Sequence, residues 1–205
     1  MRRFVTSLVA LAVPAILAAQ APQGAAAQAI PAPTRVDTTG MFLAVGAWVG
    51  DRIIISGQPT EKALRELRAQ GVTTVVNLRM PEEMTNLVKF DEAALLKELG
   101  MKYVHLPSRG GGSPEFAYSP KHVAAFTQAL KEADGKVLLH CTIAWRASHL
   151  WAAYLIQEKG VPVEEALTNA RAINLMDDHR MGPNGRQPVE DFLGRSLPMV
   201  GRPKQ

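Results

Sequence analysis

The 205-residue chain has a single cysteine, Cys141. That excludes an intramolecular disulfide framework and any zinc site built from cysteine pairs. An excess of one charge is also missing. Twenty-three basic side chains face 19 acidic ones, a net of +4, too small for charge-driven disorder. No apolar run is long enough to span a bilayer: the longest, residues 4–19, holds 16 residues where about 20 are needed. Internal repeats are absent. A chain of this length buries a core of its own without metals or disulfides as staples.

Acids are missing from residues 1–29, which open on Arg2 and Arg3, continue through the apolar run and end in two Ala-Gln-Ala sites. Charged start, short apolar middle and small-residue end describe a secretory signal peptide. The expectation is a Sec-type leader over residues 1–29, an exported (periplasmic or secreted) protein, and no stable membrane anchor after cleavage. Removing the leader leaves 21 basic and 19 acidic side chains, a net of +2. Such a balance argues against a nucleic-acid partner. Residues 30–45, rich in proline and threonine at their start, read as a linker, residues 46–198 as one α/β domain, and residues 199–205 as a tail. The locally basic stretch 180–205 reads as a solvated surface.

Strand and helix patterns alternate along the domain. A short β-branched run at residues 52–56 and further strand-like runs at residues 72–78, 102–106 and 136–140 predict strands. Helices are expected at residues 60–69, 91–99, 119–134 and 147–159, with a further one from Val163. Gly71, Gly100, Gly135 and Gly160 stop them. Residues around Pro81-Glu82-Glu83 read as a polar loop. The implied fold is a mostly parallel sheet of four to five strands flanked by helices, with ligands bound at the carboxyl ends of the strands.

That rule points to His140-Cys141-Thr142-Ile143-Ala144-Trp145-Arg146. Cys141 follows a buried strand and precedes a helix, where unpartnered backbone amides and the helix field favour an anion and a thiolate. Arg146 can hold two oxygens of a tetrahedral anion through its planar fork. Nucleophile, amide cradle and guanidinium are the parts that attack on such an anion requires. His140 is either a core histidine or a support for the loop.

The His-Cys…Arg junction resembles the signature of the cysteine-dependent tyrosine and dual-specificity phosphatase superfamily. The chain is more closely similar to the phosphatase-like domains of beta-lactamase hydrolase-like proteins. The Ser-Gly-Gln-Pro segment (residues 56–59), Val-Val-Asn-Leu-Arg (residues 75–79) and the stretch 136–156 carry that likeness. The resemblance implies a phosphatase that forms a cysteinyl phosphate on Cys141, clamps phosphate with Arg146 and cradles it with the amides of Thr142, Ile143, Ala144, Trp145 and Arg146. No metal or cofactor is implied, and the expected substrate is a phosphorylated small molecule or phosphoprotein.

Four features depart from the superfamily pattern. Four residues, not five, separate cysteine from arginine, as in rhodanese-type sulfurtransferases. The loop has no glycine, although left-handed backbone costs other residues roughly 1–2 kcal/mol. The residue after Arg146 is Ala147, with Ser148 one place later. The loop 108–118 also has no aspartate to serve as general acid, Glu115 being its only acid, and Asp177-Asp178-His179 is a second place to look. Two alternatives therefore stay open: a sulfurtransferase carrying persulfide on Cys141, and a catalytically silent anion-binding module.

Overall fold

The computed structural model describes residues 30–110, 114–176 and 186–198. Six strands form one mixed sheet: β1 (Thr34–Arg35), β2 (Gly46–Val49), β3 (Ile53–Ser56), β4 (Val72–Asn77), β5 (Lys102–His105) and β6 (Lys136–His140), in the order β1-β2-β3-β6-β4-β5. The pairs β3–β6, β6–β4 and β4–β5 are parallel, while β1–β2 and β2–β3 are antiparallel. β6 lies between β3 and β4 with Val137, Leu138, Leu139 and His140 buried. A strand covered on both faces reads as a continuous apolar run, as Lys-Val-Leu-Leu-His does.

Among the described residues seven α-helices cover the sheet: α1 (Glu61–Ala69), α2 (Pro81–Leu87), α3 (Glu92–Glu98), α4 (Pro120–Glu132), α5 (Trp145–Glu158), α6 (Val163–Ile173) and α7 (Arg186–Leu193). The helix starts are chemically marked. Ala63 N–H donates to Thr60 Oγ1 at 3.2 Å and Ala94 N–H to Asp91 Oδ1 at 2.9 Å, so side chains satisfy amides that the first turn leaves open. One core packs α4–α7 against the face carrying Ile55, Val76, Val137 and Leu139; the other packs Leu64 and Leu67 of α1 and Leu95 and Leu96 of α3 against Ile54, Val75 and Leu138. Among the described residues, no helix is long and apolar enough to cross a membrane.

The four expected strands and the helices α1, α3, α4, α5 and α6 are present, and four expectations are corrected. The sheet has six strands, because β2 and β1 add an antiparallel edge. β1 lies inside the stretch 30–45 read as linker, and Asn169 Nδ2 donates to Pro31 O at 3.0 Å, tying that stretch to α6. The polar segment after β4 is the helix α2; it buries none of its residues, so it lacks the apolar stripe that announces a helix. Residues 186–193 are not solvated surface but α7, which buries Val189, Phe192 and Leu193.

Candidate active site

β6 ends at His140, and the chain turns at Cys141 directly over the ends of β3 and β4. Cys141 N–H donates to Ser56 O at 3.4 Å and Gln58 N–H to Thr142 O at 2.9 Å. Gly57 pairs with Ile143 as an isolated bridge. This approach demands glycine: a Cβ on Gly57 would lie 1.7 Å from Leu43 O and 2.9 Å from Thr142 O. The Ser-Gly-Gln-Pro segment is thus the clamp on the cysteine loop.

The turn into α5 is made by Ala144 at φ 65°, fully buried, in the left-handed region. The strain expected of a glycine-free loop falls on this one residue. Ser148 holds it: both Ser148 N–H (2.9 Å) and Ser148 Oγ (2.7 Å) donate to Ala144 O. Ser148 therefore supports the turn and does not line the cavity. The amides of Ala144, Trp145, Arg146 and Ala147 precede the first intrahelical bond of α5, so they have no partner within the helix.

Cys141 is 1% exposed. It lies at the floor of a cavity of about 400 Å³ whose walls include Glu83, Tyr118, Thr142, Ile143, Trp145 and Arg146. A larger hollow of about 640 Å³ lies at the opposite, amino ends of the strands beside Arg52, Lys131 and Tyr154, and has no cysteine. Trp145 forms one wall edge-to-face with His149, ring centroids 5.2 Å apart. Tyr118 forms another, stacked 4.4 Å from Phe192 of α7, and burial pushes its hydroxyl up to about 12.

Arg146 is held in a two-pronged ion pair, Nη1 donating to Glu83 Oε2 and Nη2 to Glu83 Oε1, both at 2.8 Å. Nη1 also donates to Leu78 O and Ser108 O, and Nη2 to Thr142 Oγ1. Thr142 Oγ1 in turn donates to Glu83 Oε1 at 2.8 Å. Burial works to raise the Glu83 carboxyl, but Arg146, the Met80 N–H and Thr142 outweigh it and hold it at about 2. Glu83 is therefore ionised near neutral pH and has no proton to donate.

Beneath the loop lies a buried polar network. His140 Nε2 faces Glu92 Oε1 at 3.0 Å. Gln58 Nε2 donates to Glu92 Oε2 at 2.6 Å, and Gln58 Oε1 accepts from Arg79 Nη1 at 2.7 Å. Arg79 Nη2 donates to Glu83 O at 3.3 Å. Arg79 is 2% exposed, and burial draws its guanidinium below the ordinary value. His140 is fully buried, 0% exposed, with Glu92 as its partner.

Residues 47–157 match the family described as "Beta-lactamase hydrolase-like protein, phosphatase-like domain". The chain belongs to this family. A beta-lactamase hydrolase-like protein of Xylella fastidiosa is 30% identical over 105 residues, 51% of this chain and 23% of that protein. Its counterpart in Agrobacterium fabrum is 31% identical over 104 residues, 50% of this chain and 23% of that protein. The match thus spans about a quarter of the length of these relatives. P. aeruginosa TpbA, solved in complex with pTyr, aligns with TM-score 0.55 at 18% identity, covering 84% of this chain and 93% of that one. PTPMT1 aligns with TM-score 0.53 at 22% identity, covering 70% and 90%. At these identities the structural likenesses establish the fold.

In this phosphatase-like domain the loop residues Thr142, Ile143, Trp145 and Arg146 do gather around Cys141, with Ala144 as the buried hinge among them. Glu115 does not join them. It is exposed on the 3-10 turn Pro114–Phe116 and is not a wall of the cavity. Asp177-Asp178-His179 lies outside the described residues. Glu83, Arg79, Gln58 and Glu92 are site residues that sequence reasoning missed. Pro81 at the first position of α2 followed by two acids is a helix-start signature, and it was the available signal for Glu83.

Proposed function

We propose that this domain hydrolyses phosphate monoesters by nucleophilic catalysis at Cys141. The carrying observation is the buried Cys141 at a cavity floor, beside Arg146 and the unpartnered first amides of α5. The Cys141 thiolate attacks phosphorus; an S–P bond forms, the ester P–O bond breaks, and the alcohol leaves with its electron pair and takes a proton from water. Water then attacks the cysteinyl phosphate, the S–P bond breaks, and phosphate departs. Arg146 and the loop amides stabilise the charge that develops on the equatorial oxygens. Phosphate must compete with Glu83 for the Arg146 fork.

Among the described residues Glu83 is ionised and Glu115 stands outside the cavity, so no acid is placed to protonate a leaving group, and leaving groups that need no proton are favoured. Aryl phosphates are therefore the substrate class, as phosphorylated small molecules or phosphoproteins, and the phosphotyrosine bound to TpbA is of that kind. The leader-like residues 1–29 support an exported, periplasmic or secreted, setting for this activity.

The purified protein is expected to release phosphate from an aryl phosphate faster than from an alkyl phosphate, and Cys141→Ser to abolish release. Phosphate release that survives this substitution removes Cys141 as nucleophile. A persulfide mass on Cys141 after incubation with thiosulfate, without phosphatase turnover, favours sulfur transfer instead.

A further inference from the structure

An acidic residue in the first turn of a helix ordinarily faces water and offsets the helix field. Glu92, the first residue of α3, does not: it is 2% exposed and turns under the end of the sheet. Its two oxygens accept from three side chains on three separate segments. Oε1 meets His140 Nε2 at 3.0 Å and Asn77 Nδ2 at 3.2 Å, and Oε2 meets Gln58 Nε2 at 2.6 Å. These are the last residues of β6 and β4 and the residue that clamps the cysteine loop. A buried carboxylate is costly unless it is fully bonded, and this one is bonded on both oxygens.

Each arm leads to the loop. His140 is covalently joined to Cys141, and its Nδ1 is buried without a partner among the described residues. Gln58 N–H holds Thr142 O, while its side-chain oxygen takes Arg79 Nη1. Asn77 Oδ1 accepts from Arg79 N–H at 2.7 Å, and Arg79 reaches Glu83, the partner of Arg146. Glu92 also fixes the Gln58 amide, its nitrogen toward the carboxylate and its oxygen toward the arginine.

We infer that Glu92 is a positioning residue for the nucleophile loop: through His140 and Gln58 it sets where Cys141 stands relative to Arg146. This inference rests on the proposed phosphatase reading for its kinetic readout, but not for its chemical one.

The charged or titratable groups facing Glu92 are His140 from β6, Arg79 after β4 and Tyr103 from β5, with Asp91 beside it. Those facing Cys141 are Arg79, Arg146 and Tyr118. Glu92→Gln keeps the shape but places an amide N–H₂ against that of Gln58, forcing Gln58 to turn away from Arg79. Gln58→Glu with Glu92→Gln exchanges acid and amide across the same hydrogen bond and restores the pairs with Arg79, His140 and Asn77, giving up only the 3.2 Å bond from Gln58 Nε2 to Pro59 O.

The test measures alkylation of Cys141 by iodoacetamide against pH, kcat and KM for an aryl phosphate, and thermal melting. In Glu92→Gln, kcat is expected to fall between about ten- and a hundredfold with KM little changed, and the alkylation profile to move, while the protein melts as a folded domain. The double variant is expected to recover most of both. An unchanged alkylation profile in folded Glu92→Gln, with wild-type turnover intact, overturns the positioning role and leaves the phosphatase reading standing. A moved profile in a protein whose wild type turns over no aryl phosphate does the reverse. If Glu92→Gln does not fold, the double variant decides: folded with the wild-type profile it supports the role, folded with a moved profile or unfolded it overturns it.

Discussion

Cys141 and Arg146 were legible because their chemistry is local: one thiol and one guanidinium, each beside a strand end or helix start. Gly57 shows where local reading stops. Its need for no side chain comes from Leu43 O, 14 positions earlier, and Thr142 O, far later in the chain, so no neighbouring residue announces it. Gly57→Ala is expected to push Leu43 and the cysteine loop apart. Because both contacts are backbone atoms, the loop must shift, and aryl phosphate kcat should fall more than tenfold while the urea midpoint drops. A protein with normal turnover would mean that the loop tolerates the displacement. Glu92 was unreadable for the same reason as Gly57. Its partner His140 lies 48 positions away, and only packing turns a surface-type residue into a buried one.

At the scale of elements, the strands β3, β4 and β6 were legible because burial on both faces writes an apolar run into each, whereas β5 is a half-buried edge strand announced only by its short Tyr-Val stretch. β2 was not: Gly-Ala-Trp-Val has no such run, and its place on the sheet comes from pairing with β3. α2 was hidden because it buries no face, yet it carries Glu83 to Arg146. That contact gives the element a pH signature. The Glu83 carboxyl sits at about 2 in the fold against an ordinary value of 4.5. A depressed folded value contributes stability that is fully present above the unfolded value and is lost as pH falls from about 4.5 toward about 2. With the Arg146 and Glu83 side chains 11% and 19% exposed, the contribution is roughly 3 kcal/mol at neutral pH. Glu83→Gln is expected to be less stable than wild type at pH 7, and the gap in chemical-denaturation free energy should narrow steadily between pH 5 and pH 3. A gap that stays constant with pH would remove the ion pair as its cause. The same substitution takes away the carboxylate that competes with phosphate for Arg146, so inorganic phosphate should inhibit at lower concentration.

For the whole molecule, the decisive element is α7, the last helix among the described residues. α7 closes the larger core from a distance: Val189, Phe192 and Leu193 pack beside α4 and α5, and Arg186 Nη1 pairs with Glu164 of α6 at 2.9 Å. Its apolar residues at i, i+3 and i+4 carried a helix signal that the surrounding basic residues obscured. Phe192 is fully buried, stacked 4.4 Å from Tyr118 and edge-on to His122 at 5.6 Å. Tyr118 is at once a wall of the Cys141 cavity and the partner of this ring. Stability and substrate fit therefore meet at one contact. Phe192→Ala is expected to cost about 3–5 kcal/mol in unfolding free energy through the void it leaves. It also frees the Tyr118 ring, so KM for an aryl phosphate should rise further than kcat falls, since Cys141, Arg146 and Glu83 keep their own partners. Phe192→Leu, which refills most of the space, should recover stability more fully than KM, because a leucine restores volume but offers Tyr118 no ring to stack on. Equal recovery of both would mean that α7 serves the core alone.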